Sequence, residues 1–205
     1  MVERLLQGLS KLEYRGYDSA GVAVTAQEHD RVGVLKRSGE LEALRQLVTE
    51  HAPLTGSVGI GHTRWSTHGP PTDGNAHPHT DESGRVAVVH NGIIENAPAL
   101  REELREQGVR FRSETDTEVV PHLVGAHLAA GRNPEEAFRA TVARLEGSYA
   151  LAAVVAGAEA IFVAREDSPL VLGVTEEATY LGSDVPAFRE HTDQVVYLHD
   201  GEYAR

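Results

Sequence analysis

After residue 147 the chain consists almost entirely of short apolar segments separated by turns. "SYALAAVVAG", "EAIFVARE", "PLVLGVT", "ATYLGS" and "QVVYLHDG" read as five short strands or hairpin arms, with a helical turn near 185–190. An earlier group contains "GVAV" at 21–24, "RVGVLKR" at 31–37, "SVGIGHTRW" at 57–65 and "RVAVVHNG" at 85–92, the last ending at a turn. Helical patterns fall in blocks around these groups and do not alternate with single strands. That order predicts an α+β fold of packed sheets covered by helices, not repeated units around one parallel sheet.

The helices are read from their apolar spacing. Val2, Leu5, Leu6, Leu9 and Leu12 share one face, so the chain begins inside a helix. "ELEALRQLVTEH" and "APALREELREQG" follow the same pattern. "SETDTEVVPHLVGAHLAAG" reads as a helix with Thr115 and Glu118 at capping-box spacing, in which Pro121 is tolerated near the first turn. Asn133 is expected to cap a further helix with Pro134 at its first position. No repeat or linker divides the 205 residues, so one domain is expected over 1–205.

Composition removes several classes of function. With 31 acidic and 19 basic residues the formal charge is -12 and no Lys/Arg block offsets it, which argues against nucleic acid as a partner. No apolar run reaches the roughly 20 residues needed to span a bilayer, so no membrane partner is expected and the location is read as cytoplasmic. There is no cysteine, hence no disulfide, thiolate metal site or cysteine nucleophile. GxxxxGK and GxSxG motifs are also absent.

The polar chemistry collects in a few stretches. In "TRWSTHG", Arg64 could clamp a carboxylate through two parallel hydrogen bonds, or be a surface arginine on a loop carbonyl. Trp65 reads as a lid or as a core anchor, and Thr67 and His68 as groups that position a ligand or hold the loop. The 66–84 connection is long for a compact domain, as expected of a segment that binds or moves. Asn91 and Gly92 could offer a side-chain amide and an open N–H to an oxyanion, or form a hairpin turn. Asp116 reads as a helix cap or as the partner of a ligand ammonium. In "YRGYDSAG", Tyr14 and Tyr17 pack a turn, or Arg15 stands near a buried anion. His62, His68, His77, His79 and His90 could in principle converge on a metal. Their spacing matches no zinc signature, and the proline in "HPH" rules out a helical pair, so no metal or other cofactor is expected.

Taken in order, "LEYRGYDSAG", "GHTRWSTHG", "NAHPH", "VVHNGIIEN" and "SETDTEV" resemble the glutaminase domain of the glutamine:fructose-6-phosphate amidotransferases, a branch of the class-II glutamine amidotransferases. The resemblance spans nearly the whole chain. Glu13-Tyr14 before Arg15-Gly16, and His77-Pro78-His79, favour this branch over the purine-pathway members, while Ser66 stands where the branch usually has alanine. It implies a four-layer αββα N-terminal-nucleophile sandwich of two antiparallel sheets. It also implies that Arg64 holds the α-carboxylate of glutamine, Asp116 the α-ammonium, and Asn91 with Gly92 the tetrahedral oxyanion. Thr67 and His68 would line the substrate loop, Trp65 would travel with the loop that closes, and Arg15 would lie near the nucleophile.

Members of the family open on a strand that begins with the nucleophilic cysteine, whose α-amine assists proton transfer. Here Met1-Val2 already stand in the helix, and neither Val2 nor Ser10 replaces the thiol. The expectation is a domain incomplete at its N-terminus, lacking the first strand and unable to hydrolyse glutamine as written. The implied partners are L-glutamine and a sugar-isomerase domain or chain, with a homodimer kept open.

Overall fold

The computed structural model describes residues 1–66 and 69–205. Among the described residues five α-helices are formed: α1 (Val2–Ser10), α2 (Leu41–Glu50), α3 (Ala97–Glu106), α4 (Val119–Ala129) and α5 (Pro134–Val142). The strands are β1 (Ser19–Thr25), β2 (Gly33–Ser38), β3 (Val58–Arg64), β4 (His79–Thr80), β5 (Val86–Ile94), β6 (Gly147–Val155), β7 (Ile161–Glu166), β8 (Val171–Val174), β9 (Thr179–Gly182), β10 (Val195–Tyr197) and β11 (Tyr203–Ala204). They pair antiparallel in three sheets, ordered β2-β1-β3, β11-β7-β6-β5-β4 and β10-β8-β9. The third sheet is additional to the two expected.

β6 shows how the sequence builds the core. Its residues alternate between two apolar clusters, Tyr149, Leu151, Ala153 and Val155 on one face and Ala150, Ala152 and Val154 on the other. The period of two is that of a strand buried on both faces. The first face meets Leu100 and Leu104 of α3, Val120 and Leu123 of α4, and Phe138 of α5. The second, made of small residues, meets Ala23 of β1 and Ile60 of β3 across the gap between sheets. Alanines let the two sheets approach closely, whereas larger side chains fill the space under the helices. A third cluster places Leu6 and Leu9 of α1 and Leu41, Leu44 and Leu47 of α2 on the far side of β1, against Ala20 and Val22.

Local signals account for several boundaries. Asn133 accepts the Glu136 N–H while Glu136 reaches back to the Asn133 N–H, so α5 begins as expected, with Pro134 in its first turn. The Thr115–Glu118 capping box does not form. Glu118 instead accepts hydrogen bonds from the Arg112 and Ser113 N–H groups and the Ser113 hydroxyl, while the Thr115 hydroxyl meets His79. β5 does not end at a turn at Asn91-Gly92 but runs on to Ile94, with Asn91 opposite Ala150 and Gly92 opposite Tyr149. Pairing along the whole of β6 outweighs the local turn preference of Asn-Gly. β4 and β11 are two-residue strands that no apolar periodicity could reveal. No helix among the described residues is long and apolar enough to cross a membrane.

Candidate active site

A cavity of about 1120 Å³ follows β3 and opens between the sheets. One end is apolar, walled by Leu5 and Leu9 of α1 and by Leu170, Leu172 and Leu181; the other holds Arg15, His62, Arg64, Asn91, Gly92 and Asp116. The polar groups come from four elements, Arg15 from a 3₁₀ turn at Glu13–Arg15. His62 and Arg64 lie two residues apart on β3 and so share a face, Asn91 and Gly92 lie on β5, and Asp116 starts the 3₁₀ turn ahead of α4.

Arg64 is 5% exposed, which removes the surface-arginine alternative, although its guanidinium does donate to the carbonyls of Gly69 at 3.3 Å and Pro70 at 3.4 Å. Burial lowers its pKa, opposed by the fields of Asp18 and Asp116. Asp18 also fixes the start of the following loop by accepting the Ser66 N–H at 2.7 Å. Asp116 Oδ2 accepts the Ile94 N–H at 2.8 Å, and its Oδ1 accepts the Thr117 N–H at 2.9 Å. The carboxylate therefore ties its turn to the end of β5; it is not the cap of that turn, whose N-cap position is Thr115.

Gly92 has φ +121°, and a Cβ there would stand 2.1 Å from the Ser148 carbonyl oxygen and 2.9 Å from Ser168 Oγ. Only glycine fits. Beside it, His62 Nε2 lies 2.9 Å from Asn91 Oδ1. Because that oxygen can only accept, His62 carries its proton on Nε2. Burial first of all lowers the His62 pKa, to about 4, so the ring is neutral at pH 7. The Asn91 amide N–H₂ is then turned away from His62 and is available to a ligand.

The histidines form a packed group. His62 stacks on His77 with centroids 4.3 Å apart, His77 meets His79 edge-on at 4.7 Å, His77 Nδ1 accepts the His90 N–H, and His90 Nδ1 lies 2.9 Å from the Thr117 hydroxyl. Among the described residues no group of three or more metal-ligating side chains converges. His68, and with it Thr67, lies outside the described residues.

Three readings are corrected. Trp65 is 57% exposed and is no core anchor; its ring lies edge-on to Tyr17 at 5.5 Å. Tyr14 and Tyr17 are exposed and do not pack the turn; Tyr14 donates to Asp184 at 2.6 Å. Among the described residues Arg15 likewise faces no buried anion; it donates to the Ser183 carbonyl and stands 4.0 Å from the exposed Asp184 carboxylate. These contacts cross about 170 residues of sequence, which local reasoning could not foresee. The sequence reading also missed His62 as the group that orients Asn91, as well as Asp18 and Asn75. The shared face of His62 and Arg64 was the one available signal.

A family model described as a glutamine amidotransferase domain matches residues 62–190, which include Arg64, Asn91, Gly92 and Asp116. The chain belongs to that family. It is 54% identical over 198 residues to glutamine–fructose-6-phosphate aminotransferase (isomerizing) of Halobacterium salinarum, covering 97% of this chain and 32% of the relative. The same enzyme from a strain of Thermus thermophilus is 52% identical over 201 residues, covering 98% and 32%. The chain is thus homologous to a glutaminase domain and spans about a third of the length of the curated relatives it matches. Among solved structures, the glutamine phosphoribosylpyrophosphate amidotransferase of B. subtilis, in complex with ADP and GMP, superposes with a TM-score of 0.77 at 26% identity, covering 96% of this chain and 42% of that one. The fold of this glutamine amidotransferase domain is accordingly α+β and of the N-terminal-nucleophile type. Its 205 residues contain no cysteine.

Proposed function

We propose that the polar end of the cavity binds L-glutamine, with Arg64 on the α-carboxylate, Asp116 on the α-ammonium, and the Asn91 amide with the Gly92 N–H on the side-chain carbonyl oxygen. The observation that carries this reading is the arrangement of a buried cation, a half-buried anion and an oriented amide around one cavity. Partial burial strengthens both ionic contacts relative to water. Asn91 and Gly92 suit an oxygen that gains charge, because their donors are held in place before any ligand arrives. Trp65 stands at the mouth, where it can cover a bound ligand, and Arg15 borders the same space; Thr67 and His68 belong to the same loop by resemblance.

In the complete reaction the domain would supply ammonia from glutamine for the conversion of fructose-6-phosphate to glucosamine-6-phosphate. The acceptor chemistry would belong to a sugar-isomerase domain or chain, in a cytoplasmic and dimeric assembly. We read the three apolar clusters as the interfaces of a four-layer αββα sandwich. Because these residues lack a thiol, binding without turnover is the second reading, and it is the one expected of the chain by itself.

Titration calorimetry with L-glutamine tests the site, with an ammonia assay run in parallel. Saturable binding at millimolar concentration or tighter, without ammonia, is the expected result. Absence of binding, or equal binding of D-glutamine, would refute the assignment.

A further inference from the structure

Arg64 and Asp116 stand on different elements, so a ligand bearing two charges is read correctly only if their separation is fixed. Arg64 at the end of β3 donates to the Pro70 carbonyl of the loop that follows it. Asp116 starts its turn two residues after Glu114. Asn75 joins the two segments: its Nδ2 donates to that same Pro70 carbonyl at 3.0 Å, and its Oδ1 accepts the Glu114 N–H at 2.9 Å. The partners define the amide's orientation, since a carbonyl requires a donor and an N–H an acceptor. Asn75 is 3% exposed, so its amide groups could not be left unpaired without cost.

Asn75 is itself anchored to the body of the fold. The Lys36 ammonium of β2 donates to the carbonyls on either side of it, Gly74 at 3.2 Å and Ala76 at 2.6 Å. The Asn75 N–H meets Thr72, bonding its carbonyl at 3.1 Å and its hydroxyl at 3.2 Å. The bridging amide belongs to the same loop as Pro70, and Lys36 references that part of the loop to β2.

We propose that Asn75 is a positioning residue that sets the distance between the Arg64 guanidinium and the Asp116 carboxylate, making the pocket selective for a ligand that carries both an α-carboxylate and an α-ammonium. This rests on the roles given above to Arg64 and Asp116. A ligand with only one of the charges can follow its partner when the loops shift, whereas a zwitterion cannot satisfy both.

The test compares L-glutamine with 4-carbamoylbutanoate, which lacks the ammonium, and 4-aminobutanamide, which lacks the carboxylate. The unaltered chain should bind L-glutamine more tightly than either. In Asn75→Ala, L-glutamine should lose about tenfold in affinity while each analogue changes by less than about twofold, the signature of a lost coupling. An equal loss for all three ligands would mark a merely structural role and overturn the proposal, as would no loss for L-glutamine. An unaltered chain without preference for L-glutamine overturns the functional reading and takes the proposal with it. Hydrogen exchange at the Glu114 amide of the unaltered chain gives a readout that does not depend on the variant folding. L-glutamine should slow that exchange and the analogues should not; equal slowing by all three, or none, counts against the bridge.

Discussion

His62 Nε2 lies 2.9 Å from Asn91 Oδ1, and this contact decides which way the Asn91 amide faces. It requires a proton on Nε2, and burial keeps the ring neutral at pH 7. Nitrogen-15 NMR of the histidines should show that tautomer for His62 at pH 7. A ring protonated on Nδ1 would reverse the orientation of Asn91 and remove it from the oxyanion site.

The same histidine couples stability to pH. Its folded pKa of about 4 lies below the ordinary value of 6.5, chiefly through burial, and His77 and His79 are lowered for the same reason. The unfolded chain therefore takes up protons first: stability is complete above about pH 6.5 and falls as the pH drops towards 4, where folded His62 protonates as well. His62→Gln keeps a donor for Asn91 and should remove up to about 1.4 kcal/mol per pH unit of that slope. Urea melts across the window measure it, and an unchanged slope would contradict the burial of this ring.

A second and more acidic window belongs to Glu118. Its burial would raise the carboxyl pKa, but the His122 ring 3.6 Å away and hydrogen bonds from the Ser113 hydroxyl and from the Arg112 and Ser113 N–H groups outweigh that and bring it to about 2. The sign is that of a lowered carboxylate, with stability present above about pH 4.5 and lost as the pH falls towards 2. Glu118→Gln should cost about 2–3 kcal/mol at pH 7 and flatten this limb. Equal acid sensitivity in variant and parent would mean that the loop is held by other contacts.

Gly92→Ala meets two obstacles at once, a φ of +121° and the Ser148 carbonyl oxygen 2.1 Å from the new methyl group. A loss of at least about 3 kcal/mol is expected in chemical denaturation. A cost below about 1 kcal/mol would show that the backbone at this position does not have the stated form.

Arg64→Ala should weaken L-glutamine binding about 10- to 100-fold by removing a charge-assisted clamp. Asp116→Asn should do likewise for L-glutamine yet leave 4-carbamoylbutanoate nearly unaffected, because that ligand presents no ammonium. Calorimetry on both variants checks the pair. A loss for the analogue in Asp116→Asn as large as for L-glutamine would sink the ammonium assignment.

Strands such as β6 were legible because burial on both faces leaves an unbroken apolar run, and α5 was legible because Asn133 and Pro134 mark its start. Arg64, Asn91, Gly92 and Asp116 were legible as candidates because each has a side chain or backbone suited to polar contact within a distinctive stretch. In both cases the information is local, carried by periodicity, capping and residue chemistry over a few positions. Which partner each group meets is not local. Asn91 faces His62 across 29 residues, Glu114 meets Asn75 across 39, and Tyr14 reaches Asp184 across 170. The turn preference of Asn-Gly was overridden by pairing with β6, and the capping box at Thr115 gave way to a Glu118 carboxylate that found better donors at 112 and 113. The sequence by itself determined the element types, the apolar faces and the chemistry available to the site. Only tertiary packing decided where that chemistry points, because hydrogen-bond partners and burial are properties of the assembled chain.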